Sequence, residues 1–162
     1  MRSIAKAFVV GTFVLGAAHV SFAKCGDDPG DAAKVLAARE AVAATCPCAS
    51  FTNHGLYVKC AKGVAADQAN LPAPNNLPVQ CKSSVTKCAA HSVCGKPGFV
   101  SCCIDTPKGT KCKSKKDEAH CTAKGGTVTG SATTGCSSCC DACPAPGSGP
   151  SCVSSPSGAF LN

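Results

Sequence analysis

A small disulfide-rich α+β fold, with an N-terminal three-helix unit followed by a β-hairpin and a loop-rich cysteine-rich region, is expected of this chain on three grounds. Cysteine supplies sixteen of its 162 residues, an even number that permits complete pairing outside the cytosol. Apolar residues recur at helical spacing as far as about Gly95. Beyond that point the pattern breaks into short runs punctuated by turn residues.

The first segment, "MRSIAKAFVVGTFVLGAAHVSFA", has basic Arg2 and Lys6, a mostly apolar run from Ala7 to Val20, and a small-x-small end at Ser21 and Ala23. That is the layout of a signal peptide over residues 1–23. The apolar run is shorter than the roughly 20 residues a transmembrane helix takes, and no later run is long enough either, so the cleaved chain is not expected to span a membrane. Lys24 precedes Cys25 where a lipoprotein signal would place a small residue, which argues against a lipid anchor. Export to the periplasm or the extracellular space follows.

Residues 24–95 read as a disulfide-stapled helical unit. "GDAAKVLAAREAVAATC" opens with Asp31 as N-cap and carries Val35, Ala38, Val42 and Cys46 on one stripe. A second helix starts at Asn53 and aligns Tyr57, Cys60, Ala61 and Val64, with Gly63 as a weak point. The prolines of "LPAPNNLP" end it. A third helix in "VQCKSSVTKCAAHS" stacks Cys81, Val85 and Cys88. Residues 96–143 hold the hairpin and cysteine-rich region. "FVSCCID" and "TKCKS" flank the turn "TPKG", which sets Cys103 opposite Cys112 and turns Cys102 to the other face. A short helix capped by Ser114, a glycine-rich stretch and the run "GCSSCCDAC" follow. Residues 144–162 form a flexible Pro/Gly/Ser tail tied down at Cys152.

After Ala23 only nineteen of 139 residues are Leu, Ile, Val or Phe, a fraction that would ordinarily favour disorder. Disulfides, each stabilising by typically about 2 to 4 kcal/mol, replace the missing core. An up, down, up arrangement of the helices pairs Cys60 with Cys88, Cys25 with Cys81, and Cys94 with Cys46 or Cys48. The remaining member of Cys46 and Cys48 then bridges to the second half. "GCSSCCDAC" becomes a crossing point with no bond between adjacent Cys139 and Cys140.

The phrases "HGLYVKC", "KCAAHSVCGKPGFVSCC" and "SSCCDAC" resemble those of a group of exported cysteine-rich bacterial proteins of unassigned function. The resemblance covers roughly Cys25 to Cys143 and implies export without implying any catalytic residue.

The chemistry-bearing candidates are few. Cys136, Cys139, Cys140 and Cys143 would be the ligands if the protein held zinc through thiolates. An oxidising compartment and the vicinal pair argue against it, so no cofactor or metal is expected. His54, His91 and His120 are far apart. No βαβ setting supports a redox CxxC, and GxSxG, CxxCH, GxxxxGKS/T and GxGxxG are missing, so no enzyme is expected. After residue 23 there are 14 basic and 9 acidic side chains. The basic ones gather in "KGTKCKSKK", which suits an anionic surface or a protein partner but has no aromatics for specific nucleic-acid binding. The expected function is an exported structural or interaction module of the cell envelope or extracellular space. The alternative is a secreted effector, such as an antimicrobial or a protease inhibitor presenting Lys108 or Lys111 at the hairpin tip.

Overall fold

Asn53, Asp117 and Ser138 each start a helix, because their side chains accept a backbone amide that the first turn leaves without a partner. The computed structural model describes residues 23–107 and 109–143; the expected leader, Lys108 and the tail lie outside them. α1 (Asp31–Thr45) is preceded by Gly30, whose N–H donates to the Asp28 carboxylate at 2.7 Å. Asp31, expected as the N-cap, is the first helical residue instead, and its buried carboxylate accepts the Gly26 N–H at 2.8 Å. α2 (His54–Ala69) is capped by Asn53, which accepts the Leu56 N–H at 3.1 Å. A 3-10 turn, Val79–Cys81, leads into α3 (Lys82–Ala90).

The apolar stripes face one another. Ala38 and Val42 of α1, Tyr57, Ala61, Val64 and Ala65 of α2, and Val85 and Ala89 of α3 are buried in one cluster with Leu77. Disulfides fix the directions. Cys25, before α1, is bonded to Cys81 at the start of α3, and Cys48, after α1, is bonded to Cys94 after α3, so α1 and α3 run the same way. α2 runs against them, because His54 at its start places Nδ1 2.8 Å from the Cys94 carbonyl and Nε2 3.1 Å from that of Ala90.

The expected Cys60–Cys88 bond does not form. Cys60 is joined to Cys46, with Cα atoms 6.1 Å apart, and Cys88 to Cys140. The expectation placed the start of α2 level with the end of α1. Residues 47–53 instead run on past that end through a 3-10 turn, Cys48–Ser50, and extended Phe51 and Asn53. Cys60, in the second turn of α2, then returns to the level of Cys46. Cys46 is therefore not the bridge to the second half; Cys88 is.

β1 (Val100–Thr106), β2 (Gly109–Lys115) and β3 (Gly126–Ser131) form an antiparallel sheet in the order β2-β1-β3. Cys103 pairs in register with Cys112. The two are not bonded to each other, since each reaches a cysteine of "GCSSCCDAC". Ser114 is a strand residue and not a cap, because the ladder continues to Lys115 opposite Val100. α4 (Glu118–Thr122) starts at Asp117, whose carboxylate accepts the His120 N–H at 2.8 Å. β3 arises from the stretch read only as glycine-rich; a Cβ at Gly126 would fall 2.5 Å from Cys102 Sγ, so the close approach needs glycine. α5 (Cys139–Ala142) completes the order.

The sheet lies between the two short helices. Cys102 is bonded to Cys121 of α4 on one face, while Cys103 and Cys112 are bonded to Cys143 and Cys139, at α5, on the other. The architecture is a small disulfide-rich α+β fold. No described helix is long and apolar enough to cross a membrane.

Candidate functional site

"GCSSCCDAC" brings the parts of the molecule together. Ser138 caps α5, its hydroxyl accepting the Cys140 N–H at 3.2 Å. One helical turn then aims adjacent sulfurs apart: Cys139 to β2, Cys140 to α3 and, after the turn, Cys143 to β1. Cys136 is disulfide-bonded as well. There is no Cys139–Cys140 bond, and neither CxxC is closed on itself. The four cysteines considered for zinc are all disulfide-bonded and carry no thiolate in this state.

Hydrogen bonds to backbone carbonyls reinforce the crossing. The Val93 N–H donates to the Ser137 carbonyl at 2.8 Å, and the Ser138 hydroxyl donates to the Cys88 carbonyl at 3.2 Å. Ser101 Oγ donates to the Ser137 carbonyl at 3.2 Å, tying the same segment to β1.

Against this crossing sits a polar cluster. Arg39 of α1 makes an ion pair with Asp141 of α5, both side chains largely buried. Tyr57 lies beside them, its ring edge-on to Phe51 at 5.5 Å. Burial raises the Tyr57 pKa above its usual value; the Asp141 charge adds to the rise, while Arg39 and a hydrogen bond with Ser92 oppose it. Arg39, Tyr57, Cys88 and Asp141 line a cavity of about 40 Å³. That volume suits a few water molecules.

Sequence reasoning did not single out Arg39, Asp141 or Ser92. One signal was available: Arg39 is the only arginine after residue 23, in a chain with a single tyrosine. The other sequence candidates are scattered. His54 caps α3 with its ring, His120 pairs with Asp117 at 2.7 Å, and His91 is exposed at the end of α3. Lys111 is exposed on β2, and Lys108 lies outside the described residues. Cys25, Asp31 and Cys81 also cluster with ligand spacing, but the two sulfurs are bonded to each other and Asp31 is engaged by Gly26.

No protein-family model, curated protein or solved structure matches this chain.

Proposed function

We propose that the protein is an exported, non-catalytic structural or interaction module of the cell envelope or extracellular space, of the kind its cysteine spacings resemble. The observation that carries this reading is that every described cysteine is disulfide-bonded and none is free, a state that persists in oxidising compartments. The buried ion pair and cavity act as a seam between α1 and α5, supporting a scaffold role in preference to a reaction centre. The test is expression of the full chain in a bacterial host, with fractionation and N-terminal sequencing. A product starting at Lys24, outside the cytoplasm and without free thiols, is expected. A reduced chain retained in the cytosol with Met1 intact overturns the reading.

One observation favours a secreted inhibitor as the second reading. The hairpin end is held at its base by Cys103–Cys143 and Cys112–Cys139, both anchored at α5, which would limit the entropy lost on docking to a protease. Slow cleavage and inhibition of a protease selective for lysine would support it; rapid cleavage beside Lys111 would remove it.

A further inference from the structure

β2 is an edge strand, since β1 separates it from β3. Successive strand side chains point to opposite faces, so Lys111, Lys113 and Lys115 share one face, opposite Ile104, Cys102 and Val100 of β1. They stand in single file, roughly 6.8 Å apart. Cys112 takes the other face, bonded to Cys139. On the lysine face α4 is bonded through Cys121 to Cys102 and lies mainly over β3 and β1, leaving Lys111 and Lys113 exposed.

Among the described residues no ion pair reaches any of the three lysines; the acids that could neutralise them are placed elsewhere. Asp105 is on the opposite face, accepting the Thr110 hydroxyl at 2.6 Å. Asp117 is engaged by His120 beyond the end of the row, and Glu118 follows it in α4. Like charges this close repel, which costs stability in the free protein and is relieved by an anion.

The shape of the row selects among anions. Nucleic-acid bases need aromatic platforms, and β2 carries no aromatic residue: the chain has no tryptophan, its one tyrosine is buried among the helices, and a single half-buried phenylalanine, Phe99, precedes β1 at the far end of the row from Lys111. A bilayer calls for apolar side chains beside the cations, but among the described residues the exposed large ones, Leu36, Leu56, Leu71 and Val79, all belong to the helical part. A file of hydrated ammonium groups with neither feature matches a line of anionic groups carried on a polar chain. We propose that Lys111, Lys113 and Lys115 of β2 bind a linear acidic polysaccharide whose carboxylates run along the strand.

Binding is a property of the oxidised protein wherever it resides, so this proposal and the export reading can fail separately. The probe is sodium polygalacturonate, titrated calorimetrically into the full oxidised chain between about 20 and 200 mM salt. Lys111→Glu with Lys113→Glu should weaken binding at least about tenfold and flatten log K against log salt by about one to two units. Lys59→Glu with Lys62→Glu, an equal charge change at exposed positions of α2, should stay within about twofold. Should the glutamate variant fail to form its disulfides, Lys111→Gln with Lys113→Gln carries the test, with a loss beyond that of the α2 variant expected. Equal losses in the two regions would reduce the effect to net charge and overturn the proposal. So would undetectable binding at the lowest salt, leaving the lysines only to keep the edge strand from pairing. Tighter binding of single-stranded DNA or of phosphatidylglycerol vesicles would overturn it in favour of those partners.

Discussion

Gly95 sits at φ +69°, where a Cβ would fall 2.5 Å from the Asn53 carbonyl carbon and 2.6 Å from the His54 nitrogen. It is where the chain leaving α3 passes against the start of α2. Gly95→Ala should therefore cost more than about 2 kcal/mol in denaturant melts, combining left-handed backbone strain with the clash. Gly63 is the counterpart: in the interior of α2 with nothing within 4 Å of an added Cβ, Gly63→Ala should stabilise by about 0.5 to 1 kcal/mol. Tyr57 offers a second probe, because it is the only tyrosine and its ionisation can be followed in the ultraviolet. Its folded pKa lies above the ordinary 10.0. Above pH 10 the unfolded chain releases the phenolic proton first, so the stability contribution is full below that pH and is lost as pH rises toward the folded value. Arg39→Gln should move the phenol midpoint further up, since it removes the cation that opposes Asp141; an unchanged or lower midpoint would show that the ion pair does not act on Tyr57.

Among the elements, those with strong period or a definite cap were legible. Asn53 announced α2, the stripe through Ala38 and Val42 announced α1, and "TPKG" announced the hairpin with Cys103 opposite Cys112. β3 was not legible, because its glycines answer to close approach, Gly126 by the Cys102–Cys121 bond and Gly130 by the Cys136 backbone, and carry no strand propensity. α5 was hidden for a different reason: four residues give no periodicity, and it is held by Ser138 and its disulfides. The crossing role of "GCSSCCDAC" followed from the geometry of adjacent side chains, whereas Arg39 and Asp141, 102 positions apart, have no local signal linking them. The Cys60–Cys88 expectation failed at the connection before α2, a length that periodicity does not measure. Alanine cycles test the observed pairing. Cys46→Ala with Cys60→Ala should be about as destabilised as either single variant, while losses at Cys60 and Cys88 should add to within about 0.5 kcal/mol. Additivity for Cys46 and Cys60 would mean that they are not partners.

At the scale of the molecule, the buried cluster of the helices consists largely of alanine, valine and half-cystine. The largest fully buried apolar side chains are Leu77, Val85 and Val93. At about 1.5 to 3 kcal/mol for each large side chain, so few offset little of the about 1 to 2 kcal/mol of backbone entropy lost per ordered residue. The covalent links act where this deficit is greatest. Cys25–Cys81, Cys88–Cys140 and Cys48–Cys94 close loops with sequence separations of 56, 52 and 46, and long loops are those whose closure removes most unfolded-state freedom. Cys88–Cys140 is also the only described disulfide between the helices and the sheet region, with Arg39–Asp141 alongside it. Reduction should thus abolish the fold as a whole and not only loosen a loop. The native protein should have a mass about 16 Da below that of the reduced chain, two hydrogens for each of eight bonds. Under a thiol reductant, with alkylation to block reoxidation, the helical circular dichroism signal and the cooperative thermal transition should both be lost. A reduced, alkylated chain that still melted cooperatively would show that its small apolar clusters suffice, and would remove the reason for so many cysteines.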